Sequence, residues 1–96
     1  MKRDAIVIKP ADNVATALRD LSKGEVAAVG VGDGTVSVTL VDAITFGHKF
    51  AVRDIPVGQD ILKYGEVIGR ATAAIPAGAH AHVQNIESLR GRGDLA

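Results

Sequence analysis

An eight-residue pattern occurs twice in this chain, twenty residues apart: Ala51-Val52-Arg53-Asp54-Ile55-Pro56-Val57-Gly58 and Ala71-Thr72-Ala73-Ala74-Ile75-Pro76-Ala77-Gly78. Each copy reads as a strand, an Ile-Pro-x-Gly turn and another short strand. Proline at the second and glycine at the fourth position of a turn suit type I geometry. Short strands bent this sharply build compact all-β barrels or clips, so the fold expected is mostly β.

The rest of the chain fits that expectation with one exception. Residues 5–8 are apolar and β-branched, a first strand. Val26 to Val31 is extended and apolar, Gly32-Asp33-Gly34 makes a tight turn, and residues 35–40 alternate hydroxyl and apolar side chains as a half-buried strand does. Tyr64-Gly65-Glu66 marks a further reversal. The exception is residues 13–22. There Asp12 reads as an N-cap, Val14, Ala17, Leu18 and Leu21 recur at helical spacing, and Lys23-Gly24 reads as a stop, which predicts one short N-terminal helix.

Ninety-six residues make one domain, assigned to residues 1–89, with a polar Gly/Arg-rich tail over 90–96. Phe46, Phe50 and Tyr64 are the only aromatics, so the core must come from Val, Ile, Leu and Ala. The formal charge of zero gives no electrostatic footprint for nucleic acid or an anionic membrane. Without cysteine there is no disulfide, thiolate metal site or thiol nucleophile. With neither a signal-peptide core nor a membrane-length apolar run, a cytoplasmic protein is expected.

Chemistry concentrates in few places. His80 and His82, two residues apart in an extended stretch, point the same way about 7 Å apart along the chain. Two imidazoles on one face can clamp a metal or meet an anionic substrate, although a surface pair on an edge strand is the commoner meaning of His-x-His. Further ligands would come from His48, Gln84, Asn85 or another chain. Gly47-His48-Lys49 presents an acid, base or ligand beside a cation; a solvated loop is the plainer reading. Tyr64, next to Lys63, most simply caps a small core, yet its hydroxyl can orient a substrate. Arg90 and Arg92 can fork onto a carboxylate, though an Arg/Gly tail is more often merely flexible.

The blocks Asp12-Asn13-Val14-Ala15-Thr16-Ala17-Leu18, Gly47-His48-Lys49-Phe50-Ala51, Asp54-Ile55, Gly58, Ile61-Leu62-Lys63-Tyr64-Gly65, Ile68-Gly69, Gly78-x-His80-x-His82 and Asn85 occur in this order. Together they resemble the small SAF-type domain of the altronate and galactarate dehydratase family. That module also serves as a separate small subunit of two-subunit sugar-acid dehydratases and of sulfolactate sulfo-lyase. The likeness covers roughly residues 5–94. It implies a β-clip fold, a place beside a large catalytic lyase subunit, and elimination of water or sulfite from a hydroxy acid. It also implies a divalent metal, iron or manganese, in the assembled enzyme.

On this resemblance His48, Lys49 and Tyr64 are the catalytic candidates and His80 and His82 the metal candidates. Lys63 and Asn85 are expected to bind substrate, with Arg90 added for its guanidinium. Many relatives carry a histidine where this chain has Gln84, a poor transition-metal ligand. The chain is also expected to be inactive without its large subunit. Two readings compete with a sugar-acid dehydratase subunit: a sulfolactate sulfo-lyase subunit, and a non-catalytic SAF-type binding module. A homo-oligomer through exposed strands is a further expectation.

Overall fold

The computed structural model describes residues 3–88, and all regular structure among them is β. Strands β1 (Ala5–Val7), β2 (Val14–Ala17), β3 (Val26–Val31), β4 (Gly34–Thr39), β5 (Lys49–Ala51) and β8 (His80–Ala81) form one sheet in the order β4-β3-β1-β2-β5-β8. Strands β6 (Asp60–Lys63), β7 (Glu66–Ala71) and β9 (Ile86–Ser88) form a second, in the order β6-β7-β9. Only β1 and β3 run parallel.

Proline-punctuated repeats at 51–58 and 71–78 turn out to be half of a fourfold device. Leu21-Ser22-Lys23-Gly24 and Ile44-Thr45-Phe46-Gly47 make the same turn without proline, and the four glycines have φ of 84, 85, 87 and 86° in chain order. In each turn the residue after glycine donates its N–H to the carbonyl two residues before glycine. Glycine therefore occupies the third position, with the positive φ of a type II turn rather than the type I geometry expected.

These turns close on one another in pairs. Leu21 and Ile44 exchange both backbone hydrogen bonds (2.8 and 2.9 Å), as do Ile55 and Ile75 (2.8 Å each). Each turn glycine then donates to the residue four positions before the partner's aliphatic: Gly24 to Leu40, Gly47 to Ala17, Gly58 to Ala71 and Gly78 to Ala51. Those same four residues donate back to Glu25, His48, Gln59 and Ala79. The result is two reciprocal arm pairs, 17–25 with 40–48 and 51–59 with 71–79.

Burial follows this plan. Leu21, Ile44, Ile55 and Ile75 are all buried. The first pair closes over a cluster around Phe50, Leu40 and Val29, and the second over Val14, Ile61, Ala71 and Ala81.

The expected helix over 13–22 does not form: residues 14–17 are strand β2, and Leu21 opens the first turn. Asp12 caps no helix: its carboxylate accepts the backbone N–H groups of Lys9, Tyr64 and Gly65. Its neighbour Asn13 donates to the Asp60 carbonyl and accepts from Leu62 N–H. Both polar residues are buried, and they tie the start of β2 to the β6–β7 hairpin. Val14, Ala15 and Ala17 are then buried between β1 and β5, whereas Leu18, needed for a helical stripe, is exposed. Pairing on both sides outweighed the weak local helical signal.

Candidate functional site

Three histidines from two distant segments meet at the seam between the arm pairs. His48 closes the first pair, and His80 follows the second in β8. Pairing of β5 with β8 sets Phe50 opposite His80 and Lys49 opposite Ala81. The ring centroids of His48 and His80 lie 5.3 Å apart, those of His48 and His82 5.5 Å, and those of His80 and His82 5.7 Å. His48 Nδ1 and His80 Nε2 are 3.1 Å apart and share a hydrogen bond. The other nitrogen of His80 accepts from the Gln84 amide at 3.2 Å.

The backbone beneath the rings is held by side chains. Asp42 accepts the His80 N–H at 2.9 Å. Asn85 Oδ1 accepts the N–H of His82 while its Nδ2 donates to the His80 carbonyl, so both polar atoms of Asn85 hold the His-x-His segment. Asp42 drew no notice in the sequence because the histidine whose backbone it holds, His80, is 38 residues away in the chain.

Burial pushes the His80 imidazole below its ordinary range; the nearby His48, His82 and Lys49 add to this and Asp42 opposes it. The neutral ring is therefore favoured in the folded protein. Because the unfolded chain takes up this proton at a higher pH than the folded one, His80 contributes stability above the ordinary imidazole range and loses it as pH falls from about 6.5 through its lowered folded range. Thermal unfolding should therefore occur at lower temperature at about pH 5.5 than at about pH 7.5. His80→Gln should flatten that dependence, and an unchanged pH profile in that variant would remove the assigned cause.

An open pocket of about 480 Å³ adjoins the cluster, with His82 belonging to both. Lys49, Lys63, Tyr64 and Glu66 supply polar lining, and Ile68 and Ile86 are among the apolar residues. Lys49 is half-buried, and desolvation followed by the charge of Lys63 pushes its ammonium below the usual lysine range. The Lys63 Nζ lies 4.9 Å from the Tyr64 ring centroid. Of the residues singled out from sequence, His48, Lys49, Lys63, Tyr64, His80, His82 and Asn85 thus fall in one region. Arg90 lies outside the described residues.

A divalent metal is a separate matter. Imidazoles suit iron and zinc, whereas manganese favours carboxylate and carbonyl oxygens. Yet among the described residues no three His, Asp or Glu side chains converge as a ligand set. Two of the ring nitrogens that would face an ion face each other instead, and the Gln84 amide occupies a third. These residues do not by themselves fit a metal.

Similarity to known proteins runs along the whole of this framework. The chain is 48% identical to altronate dehydratase of Escherichia coli (strain K12) over 80 residues, which is 83% of the chain and 15% of that enzyme. It is 43% identical over 84 residues to the Bacillus subtilis (strain 168) altronate dehydratase, covering 86% of the chain and 16% of the enzyme. With the (2R)-sulfolactate sulfo-lyase subunit alpha of Chromohalobacter salexigens it shares 40% identity over 58 residues, 60% of this chain and 62% of that subunit. The chain thus spans only about one-sixth of the two dehydratases. Residues 3–89 match the altronate/galactarate dehydratase SAF domain, and the chain belongs to that family.

Proposed function

We propose that this chain is the small subunit of a sugar-acid dehydratase and completes the active site of a separate large catalytic subunit. The observation that carries this reading is the meeting of His48, His80 and His82 beside a pocket lined by Lys49, Lys63 and Tyr64. Dehydration of a hydroxy acid removes the proton next to the carboxylate and expels the hydroxyl of the neighbouring carbon as water. The reaction needs cations for the carboxylate, a base for the carbon acid and an acid for the leaving oxygen.

Lys63 and Lys49 supply positive charge, and Arg90 adds a guanidinium from the C-terminal segment. His82 and Lys49, which line the pocket, take or return a proton with His48 beside them, and His80 holds the His48 ring by donating its Nε2–H to His48 Nδ1. Tyr64 donates its hydroxyl to the substrate. Asn85, spent on the backbone of the His-x-His segment, supports the substrate site from below. The iron or manganese of the assembled enzyme takes its ligands mainly from the large subunit, and the protein works in the cytoplasm.

A second reading keeps the architecture and changes the leaving group to sulfite. Its support is the 40% identity over 58 residues with a (2R)-sulfolactate sulfo-lyase subunit alpha. Co-expression with a large lyase subunit, followed by assay against altronate, galactarate and sulfolactate, tests both. Turnover of a hexonate or hexarate only by the complex supports the first reading. Turnover of sulfolactate alone supports the second, and a complex inert toward all three defeats both.

A further inference from the structure

Tyr64 is the only non-glycine residue with positive φ among the described residues, at 57°. It is followed by Gly65 at φ 75°, and Lys63 pairs with Glu66, so the two residues form a two-residue hairpin turn with left-handed backbone at both positions. Such turns favour Asn-Gly or Asp-Gly, because a bulky side chain at the first position crowds the carbonyl that follows. An aromatic residue there is held against its own preference. The brace is Asp12, a buried carboxylate that accepts the N–H of Tyr64 at 2.9 Å and of Gly65 at 2.8 Å. The residue remains 52% exposed. It stands at the pocket beside Lys63.

Strain held in place by surrounding structure concentrates at functional sites. We propose that the strained Tyr64–Gly65 turn, whose N–H groups Asp12 accepts, presents the Tyr64 ring and the Lys63 ammonium as a preformed contact for a polyhydroxy carboxylate. The ligand class rests on the function proposed above; the strained turn does not. Cation and phenol suit complementary parts of such a ligand, the ammonium its carboxylate and the phenol hydroxyl its hydroxyls. Because the turn is set before the ligand arrives, no ordering is needed on binding.

Tyr64→Asn in the full chain separates the two parts. Asparagine suits the backbone and removes the ring. The variant should melt about 4–8 °C higher than the wild type if roughly 1 kcal/mol of strain is released. Its affinity for galactarate, followed by amide chemical shifts, should fall at least about tenfold, the loss of roughly one good hydrogen bond to a charged or polar group. A lower melting temperature would make the ring a packing element and overturn the strained turn. Unchanged galactarate affinity beside intact shifts at His82 and Lys49 would overturn the contact while leaving the proposed function standing. If wild-type chain shows no galactarate shifts, alone or with the large subunit, the hydroxy-acid ligand falls, and the melting temperature still decides the turn.

Discussion

Gly78→Ala is expected to unfold this protein near ambient temperature. A Cβ at Gly78 would stand 2.1 Å from the Thr39 carbonyl oxygen and 3.1 Å from the Leu40 Cα, both backbone atoms that cannot swing aside. The residue also has φ of +86°, which costs a side chain about 1–2 kcal/mol before any clash. Gly78 cannot retreat either, because its N–H donates to Ala51 at 2.7 Å and its carbonyl accepts from Val41 at 2.9 Å. Together these effects should remove more than about 4 kcal/mol, a large share of the stability of a domain this size. Gly24→Ala is the internal control. Its φ is +84° with nothing within 4 Å of the added carbon, so only the conformational cost remains. Urea unfolding of the two variants side by side checks the argument, and equal losses would show that the close approach of backbone at Gly78 is of no consequence.

His80→Ala is expected to have the largest effect on activity. The complex with a large lyase subunit should lose about 10²–10⁴ in kcat, the range for removing a positioned proton-transfer group. The fold should survive, because the segment is held by Asp42 on the His80 backbone and by Asn85 on the backbone of both His80 and His82. An intact melting profile with near wild-type turnover would dismiss the imidazole cluster as a site. Loss of both would make it a structural element instead.

Much of the architecture could be read from residues alone where local chemistry decides it. The β3–β4 hairpin followed from alternation and a Gly-Asp-Gly turn, and the two turns of the second arm pair from their prolines, though not their pairing with each other. Its symmetry mate was illegible because Leu21-Ser22-Lys23-Gly24 and Ile44-Thr45-Phe46-Gly47 share only an aliphatic, a glycine and their spacing with the proline copies. The misread segment 13–22 had the same root. Asp12 suits an N-cap and a buried turn brace equally well, and only partners some fifty residues away choose between them. At the site, the near approach of His80 and His82 is local, whereas the arrival of His48, Lys49 and Asp42 depends on register between β5 and β8 and on the 78–80 connection.

Placing the imidazoles on the join between two self-contained halves has a consequence for assembly. Neither half holds the cluster: His48 ends one reciprocal pair and His80 follows the other, 32 residues later. Each pair can zip its own exchanged bonds, but the rings acquire their shared hydrogen bond only when β5 accepts β8. The three-ring cluster therefore exists only where β5 and β8 are paired, and a molecule in which that ladder is open does not carry it.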